Sequence, residues 1–335
     1  MDNNWSLLGH EWAVEMLKQH LTHDSVRHAY LFTGPPGVGR RTLALRFTQA
    51  LNCPKSTAPG EPCGKCKTCQ QIEQMQYADL TVIQADKEGG TLKVEQIRST
   101  RRTLSLKPYQ GKYRVALFLR FQEANPSASN ALLKTLEEAP EHVVLLLTAE
   151  TSEQLLPTIV SRCEVIHLRP LPLESVETYL KNRNAGAPAH LLAHISGGRP
   201  GYALRLMQEE KALEFRSERL GDLQTLLRST RRERFAYAEK LTVRKNEAEV
   251  REQFRETLLL WLSFWRDVLL RVACSESPLT NVDNTEAIDA MAKKLSLPEA
   301  QKLVSDAEGG IDRLEHNVNA RLLAEVLLLD WPKIA

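Results

Sequence analysis

The stretch "GPPGVGRRT", Gly34 to Thr42, decides how this chain is read. Its glycines have the spacing of a phosphate-binding P-loop. In such a loop, backbone N–H groups cradle phosphates, a lysine reaches the β and γ phosphates, and a Ser or Thr hydroxyl holds Mg²⁺. Gly34, Gly37 and Gly39 preserve the cradle. Arg40 stands at the lysine position and keeps the charge, although a planar guanidinium is not a compact ammonium. Arg41 stands where the hydroxyl belongs, and a guanidinium repels Mg²⁺ instead of ligating it. Thr42 comes one residue too late, which on a helix is a rotation of about 100°. Gly34, Gly37, Gly39, Arg40 and Thr42 are therefore candidate anion contacts, but Mg²⁺-dependent hydrolysis is not expected.

Working outward, "HAYLFTG" (28–34) reads as a buried strand leading into the loop, and "RTLALRFTQALN" as the helix after it. "DLTVIQA" (79–85), "YRVALFLR", "HVVLLLTAE" and "CEVIHLRP" read as four more strands. Between them, "KVEQIRSTRRTLS" and "NPSASNALLKTLEEAP" read as helices, the second with Asn125 as cap and Pro126 at its first position. Apolar strands alternating with helices predict an α/β domain with a parallel sheet covered on both faces. Beyond the linker "RPLPLES" (169–175) the pattern is helical only. In "FRETLLLWLSFWRDVLLRV", residues Phe254, Leu258, Trp261, Trp265, Leu269 and Val272 recur at spacings of three and four. That breadth of apolar surface predicts a central bundle helix. The expected division is an α/β domain over 1–170, a small helical lid over 171–210 and a C-terminal all-α domain over 211–335.

With 44 basic and 42 acidic residues the net charge is +2, so no whole-chain field points to nucleic acid. Two basic clusters, Arg98–Arg102 and Arg228–Arg234, could meet phosphates, but acids interleave the second and few aromatics accompany either. The N-terminal "MDNNWSLLGHEW" carries no signal-peptide pattern. No stretch reaches the roughly 18 apolar residues of a membrane helix. A cytoplasmic location with no membrane partner is the resulting expectation.

Four of the six cysteines cluster as C-x9-C-x2-C-x2-C: Cys53, Cys63, Cys66 and Cys69. Four thiolates suit a closed tetrahedral Zn²⁺ site, and short C-x2-C turns aim two sulfurs at one ion. Residues 53–71 thus read as a structural zinc insert without catalytic function. Lys65 and Lys67 would offset its negative charge. Cys163 and Cys274 are isolated and read as packed thiols.

Several of these stretches, with "GHEWAVEMLKQHL", "LLPTIVSRC" and "HNVNARLLAEVLLLDWP", carry a resemblance over about Gly9 to Pro332. They resemble the delta-prime family of AAA+ subunits of the bacterial DNA polymerase III clamp loader. "NALLKTLEE" with a downstream "SRC" is its most specific part. The resemblance implies a AAA+ P-loop sheet, a lid, and a helical collar that joins five subunits in a ring. It implies as partners the gamma/tau and delta subunits, and through the complex the sliding clamp and primed DNA.

Active members of the family end the Walker B strand in acids that hold Mg²⁺. The matching positions here are Leu119 and Arg120, and Glu123 could substitute only if its loop doubled back. Active members also carry a phosphate-sensing arginine in the lid, where this chain places Gly201; neighbouring Arg199 precedes Pro200 in a turn and is not assigned the role. What remains is Arg162 of "SRC", which in the family projects across a subunit interface toward ATP bound by the neighbour. The resemblance therefore implies a non-hydrolysing member that offers Arg162 as a trans arginine finger, with no ATP expected in its own site. A motor subunit resembling gamma/tau would need the lysine, the hydroxyl and the acidic strand end. A zinc adaptor with a relic P-loop, unrelated to replication, would lack the "NALLKTLEE" and "SRC" pair.

Overall fold

The computed structural model describes residues 4–87, 89–183, 188–242, 247–316 and 318–333. They divide into two compact units, residues 1–179 with 198–202, and residues 180–197 with 203–335.

In the first unit, helix α1 (Glu11–Thr22), strand β1 (Ala29–Thr33), α2 (Arg40–Asn52), α3 (Lys67–Glu73), β2 (Leu80–Ile83), α4 (Val94–Leu104), β3 (Arg114–Phe118), α5 (Pro126–Glu137), β4 (Val143–Ala149), α6 (Pro157–Val160) and β5 (Glu164–His167) follow one another. The five strands form one parallel sheet in the order β2-β3-β4-β1-β5. Strands β1, β3 and β4 are buried along their whole length, which is why their sequences run apolar without alternation. The pleat still sorts their side chains. Tyr30, Phe32, Val115, Leu117, Val144 and Leu146 face a core shared with Val14 and Leu17 of α1 and Leu43 and Phe47 of α2. Leu31, Ala116, Phe118, Leu145 and Leu147 face the opposite core, with Ile97 of α4 and Leu132 and Leu136 of α5. Asn125 caps α5 as its sequence predicts, accepting from the Ala128 N–H at 2.7 Å with Pro126 in the first turn.

Helix α7 (Leu173–Lys181) leaves the first unit and enters the second, where α8 (Ala189–Ser196) lies; α9 (Pro200–Gln208) begins in the first unit and continues in the second. The second unit is completed by α10 (Glu210–Arg228), α11 (Arg231–Thr242), α12 (Glu247–Val272), α13 (Thr285–Ala292), α14 (Leu297–Glu315) and α15 (Ala320–Asp330). The 26-residue α12 is the central helix, with Phe254, Leu258, Trp261 and Trp265 at most 1% exposed. Phe264 and Val268 are buried as well, whereas Leu269 and Val272 are only half-buried. Among the described residues, no helix is long and apolar enough to cross a membrane.

Two charged side chains lie inside this unit. Asp267 of α12 is fully buried and accepts from the Thr280 and Asn281 backbone N–H groups and the Asn281 side chain. Arg234, the last arginine of the second basic cluster, is 4% exposed and cannot serve as a phosphate contact. Its guanidinium donates to the carbonyls of Leu226, Leu328, Trp331 and Pro332 at 2.7 to 3.0 Å. It thereby satisfies the C-terminal carbonyls of α10 and α15, which helix geometry leaves open. Alanine at position 234 would bury those acceptors unpaired, at about 1–3 kcal/mol for each one that water does not reach. Arg234→Ala is expected to destabilise the helical unit by about 3 kcal/mol, read by thermal or urea melting. Lysine, with a single ammonium, should recover only part of that loss.

Candidate functional site

The P-loop follows β1 at the C-terminal edge of the sheet, between β4 and β5, where open α/β sheets bind ligands. Gly34 N–H donates to the Glu150 carbonyl at 2.9 Å, tying the loop to the end of β4. Gly34, Gly37 and Gly39 all have positive φ (141°, 83° and 117°), and Gly39 caps α2. Arg40 is half-buried at the first position of α2, whereas Arg41 and Thr42 are exposed.

The start of α9 meets the loop through main chain. The Gly201 N–H donates to the Gly37 carbonyl at 2.8 Å. A Cβ on Gly201 would lie 2.9 Å from that oxygen, and one on Gly37 would lie 2.7 Å from the Tyr202 nitrogen. Glycine at 201 therefore has a packing reason. Any side chain there, arginine included, would force the two segments apart. Arg199 lies with its guanidinium over the Tyr202 ring, 4.7 Å from the centroid.

At the end of β3, Leu119 is 5% exposed and its N–H donates to Ile83. Arg120 takes a left-handed conformation (φ 50°) and pairs through Nε with Glu123 at 2.7 Å. Glu123 also accepts from the Gly89 N–H at 2.9 Å. Its loop turns through a short 3₁₀ segment, Phe121–Glu123, and its Oε1 is held by the arginine beside it. Sequence reasoning passed over Thr148, 3% exposed near the end of β4. Its Oγ1 accepts from the Arg120 N–H at 2.9 Å, and so anchors the β3 end. A threonine in an apolar strand offers no local signal of that role.

Arg162 lies between α6 and β5. Its Nη2 contacts Glu137 Oε1 at 2.7 Å and its Nη1 donates to the Thr158 carbonyl at 2.9 Å. The side chain remains 36% exposed. Neighbouring Cys163 is packed, and burial pushes its thiol up to about 12. Cys274, expected to be packed as well, is instead exposed in a left-handed turn just past α12.

The four clustered cysteines come together. Their sulfurs all lie within 4.8 Å of one another, with Cys53 at 3.5 Å from Cys63 and 3.9 Å from Cys66. A tetrahedral zinc with bonds of about 2.3 Å requires sulfurs about 3.8 Å apart, so the set fits a metal ion. Backbone N–H groups of Cys63, Cys66 and Cys69 each point at a preceding cysteine sulfur at 3.4 Å. The Lys65 N–H, with that of Cys66, lowers the Cys63 thiol to about 6, whereas burial raises Cys53 and Cys69. The module is anchored from outside. Trp5 donates to the Gly60 carbonyl at 2.7 Å, Lys18 pairs with Glu61 at 2.7 Å, and Gln49 of α2 donates to the Cys69 carbonyl at 2.8 Å.

A five-stranded parallel sheet in this order, with a P-loop after β1, a cysteine insert after α2 and a helical C-terminal region, is consistent with the architecture expected from the sequence. Comparison with known proteins agrees. Residues 9–172 match the family described as DNA polymerase III, delta subunit. The chain is 38% identical over 184 residues to the delta' subunit of DNA polymerase III from Pseudomonas aeruginosa, covering 53% of this chain and 55% of that one. Against the Bacillus subtilis delta' subunit it is 26% identical over 317 residues, 94% of each chain. The tau subunit of Escherichia coli is 36% identical over 176 residues, 52% of this chain; the match spans only 27% of tau's length. Residues 9–172 of this chain thus resemble the DNA polymerase III delta-subunit family, and the chain is similar to delta' and tau subunits of DNA polymerase III.

Proposed function

We propose that this subunit does not hydrolyse ATP and instead completes the ATP site of a neighbouring clamp-loader subunit with Arg162. The observation that carries this is the chemistry at the C-terminal edge of its own sheet. Cationic Arg41 and apolar Leu119 stand where a hydrolase needs magnesium ligands, and Glu123, the nearest substitute, is paired with Arg120. The direct Gly201–Gly37 contact supports the same reading, because it occupies the place from which a lid arginine would reach a phosphate. Arg162 has the properties a trans finger needs: permanent charge, two-point contact and exposure.

The tetrathiolate fits structural zinc, held by Cys53, Cys63, Cys66 and Cys69 with all four positions filled by protein. The partners are the gamma/tau and delta subunits, and through the assembly the sliding clamp and primed DNA. The purified chain alone is expected to release no phosphate from ATP above the buffer blank, with or without Mg²⁺. Turnover at the 1–10 s⁻¹ scale of ordinary enzymes would overturn the proposal. The complementary arm is Arg162→Ala in the reconstituted complex.

A further inference from the structure

We infer that Glu137 is a positioning residue for Arg162, presenting its guanidinium to the adjacent ATP-binding subunit. The inference rests on the proposed role of Arg162 as a trans finger. The two terminal nitrogens of the guanidinium are held from different elements, Nη2 by Glu137 on α5 at 2.7 Å and Nη1 by the Thr158 carbonyl of α6 at 2.9 Å. Both supports are rigid. Helix α5 is fixed by its Asn125 cap, and Leu132 and Leu136 lie in the same buried cluster as Ile159 of α6. A long arginine side chain loses considerable rotamer freedom when it is ordered, and a planar fork already pinned at two points arrives pre-organised. Guanidinium has five N–H donors. These contacts use two, so phosphate oxygens can be met without releasing Glu137. The pair joins the end of "NALLKTLEE" to the arginine of "SRC", 25 residues apart.

The test uses the reconstituted clamp loader with its ATP-hydrolysing subunits, measuring single-turnover hydrolysis and the apparent KM for ATP. Glu137→Ala is expected to lower the rate at the served site roughly tenfold, with KM little changed, because an unpinned guanidinium spends less time in the productive orientation. Glu137→Gln, which can still accept from Nη2, should give an intermediate rate. The deciding readout is the double variant. If Glu137 acts only through Arg162, Glu137→Ala causes no further loss on an Arg162→Ala background. An unchanged thermal midpoint shows that folding is not the cause. Normal rates for Glu137→Ala alongside an impaired Arg162→Ala overturn the positioning role and leave the finger intact. So does an equal fold-loss from Glu137→Ala on both backgrounds. If Arg162→Ala is itself indifferent, the trans-finger reading falls and this inference falls with it.

Discussion

Replacing Arg162 with alanine in the reconstituted clamp loader is expected to slow ATP hydrolysis at the adjoining site by about 10³-fold. The magnitude follows from what the guanidinium does. Charge accumulates on phosphoryl oxygens as the γ phosphate leaves, and a fixed cation lowers that barrier without having to reorganise. A steady-state rate sums over every hydrolysing site in a complex and would dilute an effect confined to one of them. Single-turnover measurement is therefore the proper assay. Arg162→Lys keeps the charge but loses the fork, and should fall between wild type and alanine. Stability should barely move, because the Arg162–Glu137 pair is 36% and 51% exposed and such surface pairs contribute about 0–1 kcal/mol. A wild-type hydrolysis rate, or a loss explained by failure to assemble on gel filtration, would remove the finger from the mechanism.

The second large effect is expected from Cys69→Ser, or from chelation. Metal analysis should show about one zinc per wild-type chain and essentially none after either treatment. The module has few apolar side chains to hold it: of residues 53–73, Cys66, Cys69 and Ile72 are its buried hydrophobics. Its order is therefore expected to depend on the ion; structural zinc binds with about 10–16 kcal/mol in isolated fingers, a reserve that chelation removes. Trp5 reports the outcome, being 7% exposed and bonded to Gly60. Its emission should shift to the red on metal removal, and a Trp5→Phe variant supplies the blank. Release should become easier as pH falls. Desolvation makes the half-buried Cys53 and the buried Cys69 thiols hold their protons more tightly than free cysteine, so acidification favours the protonated, metal-free form. A chain that retains its fluorescence, protease resistance and melting point without zinc would show the cysteines to be incidental.

Much of this was legible before any coordinates. The "GPPGVG" loop, the apolar runs of β1, β3 and β4, the Asn125–Pro126 helix start and the cysteine spacing are local signals, and each sits where its pattern puts it. Other features had no local signature. Arg234 reads as one more surface charge in "RSTRRER", yet four carbonyls from two helix ends converge on it. Asp267 sits in an otherwise apolar helix, and no local pattern shows that the 280–281 backbone folds over it. Cys274 reads as packed because cysteines usually are, but the end of α12 turns it outward.

What the sequence by itself determined is which chemistry this chain has lost and kept. Side-chain identity alone decides that Arg41 cannot ligate magnesium, that Leu119 carries no charge, and that four thiols within 17 residues can share one ion. What only the tertiary structure decided is which distant groups meet: Gly201 on Gly37, Glu123 on Arg120, and Glu137 on Arg162. Periodicity and propensity act over a few residues and report how a segment folds. Whether two carefully placed groups come within 3 Å depends on how helices and strands pack across the whole unit, and no local pattern carries that distance.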